Sequence, residues 1–277
     1  MNQIPRVPIN KWTDIGIEYL QIQWGESFDT LSEFLRSVIT ALQDLLIMIP
    51  PGVLIVLLAL LAWRFVNKKI AIFSIVGLYL IYNVGLWEST MQTLSMVLSS
   101  VLLCIVMGVP LGILAAKKRT AHRIITPVLD FMQTLPAFVY LLPAVTFFGL
   151  GIVPAVIATI IFAMPPVIRL TDLGIKQVPE ELVELGQSFG STFYQMLFKI
   201  ELPLARPTIM AGINQCIMLS LSMVVIAAMI GAKGLGGEVW RAIQRMEIGN
   251  GFEAGLAIVV MAIVLDRITQ SFGKSKD

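Results

Sequence analysis

Side chains able to perform covalent or metal chemistry are few in this sequence and poorly placed for it. The one histidine, His122, stands among cations in Lys117-Lys118-Arg119-Thr120-Ala121-His122-Arg123. A lone imidazole completes neither a metal-ligand cluster nor a nucleophilic triad, so His122 is expected to be solvated. Gly273-Lys274-Ser275 has the ending of a phosphate-binding loop, but the glycine needed five residues before Gly273 is replaced by Ile268. Cys104 and Cys216 fall in apolar stretches and read as small core residues, not as a redox pair. Asp130 borders an apolar stretch, where an acid is a candidate ion or proton site. One turn from water, it reads as a helix-end charge. The informative spacing is that of docking. In the run QVPEELVELGQSFGSTFYQMLFKIELPLARP, Pro179 suits a first helical position, and Glu180 and Glu181 complement the positive end of the helix dipole. Gly190 breaks that helix. Thr192 with Gln195 has the pattern of a capping box, opening a second helix through Phe198 to Leu202 that should end before Pro203. Gly186 and Gly190, four apart, would leave a bare stripe where another protein can approach closely.

The elements that must position this elbow are read from charge. Of the 277 residues, 57% are hydrophobic and 14% charged, against about 25% charged in soluble domains. Such a chain cannot cover itself with polar surface, which excludes a cytosolic enzyme and equally a disordered chain. Two cysteines exclude a disulfide scaffold, and a net charge of +2 leaves no nucleic-acid footprint. The start, MNQIPRVPINKW, has no apolar stretch behind its positive charge, so no cleavable signal peptide is expected. Charge-free windows predict spans at Leu45 to Trp63, Ile70 to Trp87, Ser89 to Ala116, Pro207 to Ala232 and Phe252 to about Thr269. The 38-residue window Phe131 to Ile168 is too long for one crossing. It is predicted to turn at Gly149-Leu150-Gly151-Ile152-Val153-Pro154. The fold class is therefore all-α, a polytopic membrane helical bundle of about seven transmembrane helices.

Alternation of these spans collects fourteen Lys and Arg residues on one side, including Arg64, Lys117, Arg169, Lys176 and Lys274, and six on the other, Arg6, Lys11, Arg36, Lys233, Arg241 and Arg245. The richer side is cytoplasmic. This predicts an extracytoplasmic N-terminal tail over 1–44, two additional transmembrane helices over 45–90, and a core over 91–277 with a cytoplasmic coupling loop over 170–204. The C-terminus is then cytoplasmic. In the tail, Leu31, Phe34, Leu35, Val38, Ile39, Leu42, Leu45 and Leu46 follow a 3.6-residue period, with Thr30 and Glu33 as a capping box at the start. This is either an interfacial or bracing helix or the amphipathic start of the first span. Gly108 and Gly112 form GxxxG, favouring internal helix packing over a dimer contact. Trp63, Trp87 and Tyr82 read as interface anchors. The glycine-rich segment Gly231 to Gly251 is either a flexible re-entry turn or a surface for an outer partner.

With these residues placed, the chain resembles the permease subunits of ABC importers. Those carry, on the cytoplasmic side, E-A-A, three residues, G, nine residues, I, one residue, L-P. Here Glu184, Gly190, Ile200, Leu202 and Pro203 keep that spacing, while Leu185 and Gly186 replace the two alanines. The stretches LPLARPTIMAGINQCIMLSLSMVVIAAMIGAKGLGG and AIVLDRITQ are similar to the glycine betaine/proline (osmoprotectant) branch, and the likeness runs from about Trp87 to Gln270. An extended extracytoplasmic tail before the core also characterises that branch. The resemblance implies a type I ABC importer permease fold working as a homodimer, with membrane lipid around it and no nucleic acid. It also implies an extracytoplasmic substrate-binding protein, and two ATP-binding subunits docked on Glu184, Leu185, Gly186, Gly190, Ile200, Leu202 and Pro203. The chain itself would be no enzyme and hold no cofactor or metal, with ATP and Mg on the partner ATPase.

Two other classes are weaker. An ion-gradient-driven secondary transporter of small zwitterions would show inverted repeats and ionisable residues in broken helices. An intramembrane enzyme would need converging nucleophile, base or metal ligands within the spans. The sequence offers neither pattern, and it does not identify the substrate-binding residues.

Overall fold

The computed structural model describes residues 8–273. Arg6, Lys274, Ser275 and Lys276, which enter the readings above, lie outside the described residues. Regular structure among the described residues is helical throughout. It runs α1 (Ile9–Met48), α2 (Pro51–Phe65), α3 (Lys68–Asn83), α4 (Trp87–Lys117), α5 (Arg119–Thr134), α6 (Ala137–Phe148), α7 (Ile152–Lys176), α8 (Glu180–Ser188) and α9 (Phe193–Met196). A π-helical turn (Leu197–Glu201) follows, then α10 (Leu202–Ala228), α11 (Leu235–Arg245) and α12 (Ile248–Gly273).

The centre of the bundle is α7, held between α4 and α10. Its small and branched residues Val153, Ala155, Val156, Ala158, Ala163 and Val167 are all fully buried, as expected of a helix apolar on every face. Between helices in lipid, attraction comes from close van der Waals fit, so small residues mark the tightest crossings. A Cβ at Gly112 would lie 2.5 Å from the Thr171 Cβ and 2.8 Å from the Ile168 carbonyl oxygen. At Gly212 of α10 it would lie 2.9 Å from the Pro166 carbonyl oxygen. The Gly108/Gly112 pair thus packs inside the chain, against α7. The hairpin before α7 turns where expected: Gly149 and Gly151 have φ of 73° and 123°, and the Gly151 N–H donates to the Ile230 carbonyl at 2.9 Å. Pro154 then occupies the first turn of α7, where no intrahelical donor is needed.

The count of about seven spans is not confirmed. By length and composition, α4, α7, the run Phe193–Ala228 and α12 each suffice to cross a membrane, and up to six crossings result if two bent helix pairs count as one span each. Helices α2 and α3 have 15 and 16 residues, about 22 and 24 Å at 1.5 Å per residue, against about 30 Å of hydrocarbon. Charge-free windows miss the breaks because prolines, not charges, make them. The predicted span Leu45 to Trp63 is cut at Ile49-Pro50, where α1 and α2 meet at 99°. Phe131 to Thr134 belong to α5, which meets α6 at 101° across Leu135-Pro136. In both breaks the residue before proline is forced into the extended region, Ile49 with ψ 125° and Leu135 with ψ 135°.

The capping box expected at Thr30 and Glu33 does not form. Thr30 lies inside the 40-residue α1, its Oγ1 donating to the Glu26 carbonyl at 2.8 Å. Of the predicted apolar face, Leu35, Ile39 and Leu46 are buried, whereas Leu31, Phe34, Val38 and Leu45 are exposed. Helix α1 braces α4 and α6, with Gln21 Nε2 donating to the Thr146 carbonyl at 2.8 Å and Phe28 4.8 Å from Phe147 between ring centroids. Trp87 is buried, not an exposed anchor, and meets Tyr82 edge to face. His122 is not simply solvated: its Nδ1 is 3.1 Å from Asp172 Oδ2, which Lys176 also pairs. Asp130 is exposed and pairs with Arg169, consistent with a helix-end charge.

Gly112→Val should overpack the α4/α7 crossing by about 1–3 kcal/mol. The expected outcome is a lower midpoint of thermal unfolding in detergent, and an unchanged midpoint would contradict the packing described.

Candidate functional site: the elbow between α7 and α10

The segment between α7 and α10 folds as two limbs around a glycine. Pro179 caps α8, one position before the first helical residue, and Glu180 and Glu181 occupy the first turn. The helix closes with the Ser191 N–H donating to the Gly186 carbonyl at 3.0 Å and the Gly190 N–H to Gln187 at 2.8 Å. These are the bonds of a Schellman stop. Gly190, at φ 72°, supplies the left-handed residue that such a stop requires. The capping box at Thr192 and Gln195 is present in both arms: the Thr192 N–H donates to Gln195 Oε1 at 2.9 Å.

The second limb departs from expectation. It does not end before Pro203. Helix α9 opens into the π turn, where the Leu202 N–H reaches the Leu197 carbonyl five residues back, and α10 continues with Pro203 in its first turn. The wider turn removes the clash that Pro203 would cause in regular helix, and a first-turn proline needs no donor.

Gly186 also differs from its expected role. It is buried, and a Cβ there would meet Met196 Cε at 2.7 Å and Ile200 Cδ1 at 2.9 Å. Its missing side chain faces the second limb and seats α8 there, while its backbone borders the groove beside it. Gly190 has open space around it, so its φ alone demands glycine. A mostly apolar groove on the elbow is lined by Leu182, Leu185, Gly186, Phe189, Ile200, Pro203 and Leu204, with Ser191 and Lys199 also in its wall. Four of the seven predicted residues thus share one surface: Leu185, Gly186, Ile200 and Pro203. Gly190 lies at the turn beside it, exposed Glu184 on α8 outside the lining, and Leu202 half-buried at the start of α10.

Sequence reading passed over several residues of this surface. Phe189, Phe193, Tyr194 and Phe198 are all more than half exposed, and aromatic residues in a run otherwise too polar for a span were the available signal. It also passed over Glu201, in the free position between Ile200 and Leu202. Glu201 is 3% exposed, and its Oε1 lies 2.5 Å from Lys117 Nζ at the end of α4. Lys117 Nζ sits 5.9 Å from the centroid of the Phe193 ring, within cation–π range. No cluster of three or more metal-ligating side chains occurs among the described residues. The elbow offers apolar and aromatic side chains around a rigid turn, a composition common in the cores of protein interfaces.

At the opposite end of the bundle, Gly231 to Gly251 is not merely a flexible turn. It carries α11, pinned to α4 by the Leu235 N–H donating to Thr93 Oγ1 at 2.8 Å and by Ser89 Oγ donating to Glu238 Oε1 at 3.1 Å. The crevice there has Glu88, Lys233, Glu238, Trp240 and Arg241 in its wall.

Residues 108–274 match the family model described as the inner membrane component of binding-protein-dependent transport systems. The chain is 51% identical over 276 residues to the glycine betaine transport system permease OpuAB of Bacillus subtilis, covering 100% of this chain and 98% of that one. It is 51% identical to the glycine betaine/carnitine transport permease GbuB of Listeria monocytogenes, with 99% and 98% covered. It is 47% identical to the glycine betaine/proline betaine permease ProW of Escherichia coli, with 97% and 76% covered. A chain from inward-facing structures of the MetNI methionine ABC transporter superposes with a TM-score of 0.60 at 19% identity, covering 70% of this chain and 96% of that one. That likeness supports the fold alone.

Any L-residue at Gly190 must adopt a left-handed conformation that costs about 1–2 kcal/mol, less for asparagine. Gly190→Val should therefore lower the thermal unfolding midpoint of the purified chain more than Gly190→Asn does. Equal midpoints for the two variants would show that the elbow does not depend on this angle.

Proposed function

The chain belongs to the family of inner membrane components of binding-protein-dependent transport systems, and from that membership we propose that it is the permease subunit of an ATP-driven importer of glycine betaine and similar compatible solutes. The observation that carries the proposal is the end-to-end likeness to permeases named for glycine betaine, at about half identity. The elbow supports it by offering a rigid apolar surface at the spacing the family uses to meet its ATPases.

In this reading the chain works as a homodimer with two ATP-binding subunits, and ATP and Mg sit on those partners. The elbow of each copy, through Leu185, Gly186, Ile200 and Pro203 with Glu184, Gly190 and Leu202 beside them, receives one ATPase. An extracytoplasmic binding protein delivers the solute to the other face, where α11 and its crevice lie. The N-terminal region over 1–44 is extracytoplasmic, the helices over 45–90 are additions to the core over 91–277, and the elbow and C-terminus are cytoplasmic. The central apolar stretches lack fixed charge, so a free ion would meet no compensating partner there. A compact zwitterion, whose charges cancel at a distance, is easier to accommodate. This favours betaines over ions without choosing among betaines.

Two measurements test the proposal. Vesicles carrying this chain, its ATPase and its binding protein should take up radiolabelled glycine betaine with ATP inside and with proton and sodium gradients abolished. Uptake that follows an ion gradient and ignores ATP would instead make the chain a secondary transporter. For orientation, single cysteines at Asn10 and Ser188, in a background lacking the buried Cys104 and Cys216, should be labelled from opposite sides of the membrane. Labelling from one side would overturn the assignment.

A further inference from the structure

The elbow is joined covalently to two helices, to α7 through Pro179 and to α10 through the π turn. Its third attachment is the Lys117–Glu201 pair, which reaches α4, a helix with no direct chain connection to it. Three observations set this pair apart from a surface ion pair. Glu201 is 3% exposed, and Lys117 Nζ is the one cationic group within ion-pair distance of its carboxylate among the described residues. Glu201 Oε2 is buried with no hydrogen-bond partner among the described residues. Glu201 also ends the π turn, so its position is set by the segment that carries the docking surface.

Separation of α4 from the elbow would strand an unpaired carboxylate in a low-dielectric interior, a far greater penalty than opening an exposed pair. The pair therefore behaves as a tether, and displacement of the elbow carries the end of α4 with it. Because α4 packs along α7, a push on one short turn reaches the central layer of the bundle from both sides.

We propose that Lys117 and Glu201 are positioning residues for coupling, tying the ATPase-docking elbow to α4 so that partner movement is passed to that helix. The inference rests on the docking role proposed above. The test uses the complete transporter in vesicles and reads betaine transported per ATP hydrolysed. Lys117→Met with Glu201→Gln removes both charges and so leaves no stranded ion, which keeps the fold tolerant of the change. This double variant should assemble in normal amount with an unchanged thermal midpoint, yet lose at least about fivefold in that ratio, for the absent tether lets ATP turn over without moving α4. Lys117→Arg keeps the pair and can satisfy Oε2 as well through its second donor, so its ratio should stay within about twofold of the unaltered complex. A double variant with the unaltered ratio, or Lys117→Arg as uncoupled as the double variant, would overturn the tether. Failure of the unaltered complex to transport betaine with ATP would instead refute the functional reading on which it rests.

Discussion

Everything in this bundle depends on how closely α7 can be approached. Lipid tails are as apolar as the side chains they touch, so hydrophobic burial alone does little to hold one spanning helix against another. What remains is contact distance. Gly112 from one side and Gly212 from the other bring the backbones of α4 and α10 onto α7 where even a methyl group would collide with a carbonyl oxygen. With these three helices fixed, the ends that carry the elbow are fixed too, and the elbow becomes a rigid outcrop of the core instead of a loop.

The elbow shows the same economy on a smaller scale. Gly186 lets α8 settle onto Met196 and Ile200, Gly190 turns the chain, and the Thr192 capping box starts the return limb. Each satisfies a local requirement of backbone or packing. Together they leave Leu185 and Phe189 exposed on the surface while Gly186 is buried against the second limb.

Sequence reading recovered what local chemistry dictates. The stop at Gly190, the capping box at Thr192 and the turn at Gly149 to Gly151 follow from glycine angles and short-range hydrogen bonds, and all are found in place. Its failures came from longer-range causes. Leu45 to Trp63 looked continuous because Pro50 and Pro51 carry no charge, and Thr30 looked like a cap because Thr30 with Glu33 stands at the head of an apolar period, although the helix already runs from Ile9. Gly186 was expected to leave a bare stripe for a partner, but its missing side chain seats α8 on the second limb, since spacing along one helix does not tell which face its neighbour covers. The Lys117–Glu201 pair joins positions 84 apart, and no local pattern announces such a contact. Of the candidate site, the turn was legible and its third attachment was not.

The brevity of α2 and α3 has a consequence for the surrounding membrane. At about 22 and 24 Å, they fall short of a hydrocarbon layer of about 30 Å by several ångströms. Were they to cross the membrane, a bilayer at that flank would have to thin, or the cations Arg64, Lys68 and Lys69 at their shared turn would have to reach along the helices toward the headgroups. Either adjustment costs a fraction of a kcal/mol for each ångström of mismatch. A crossing by so short a hairpin would make the energy of the folded chain depend on acyl-chain length.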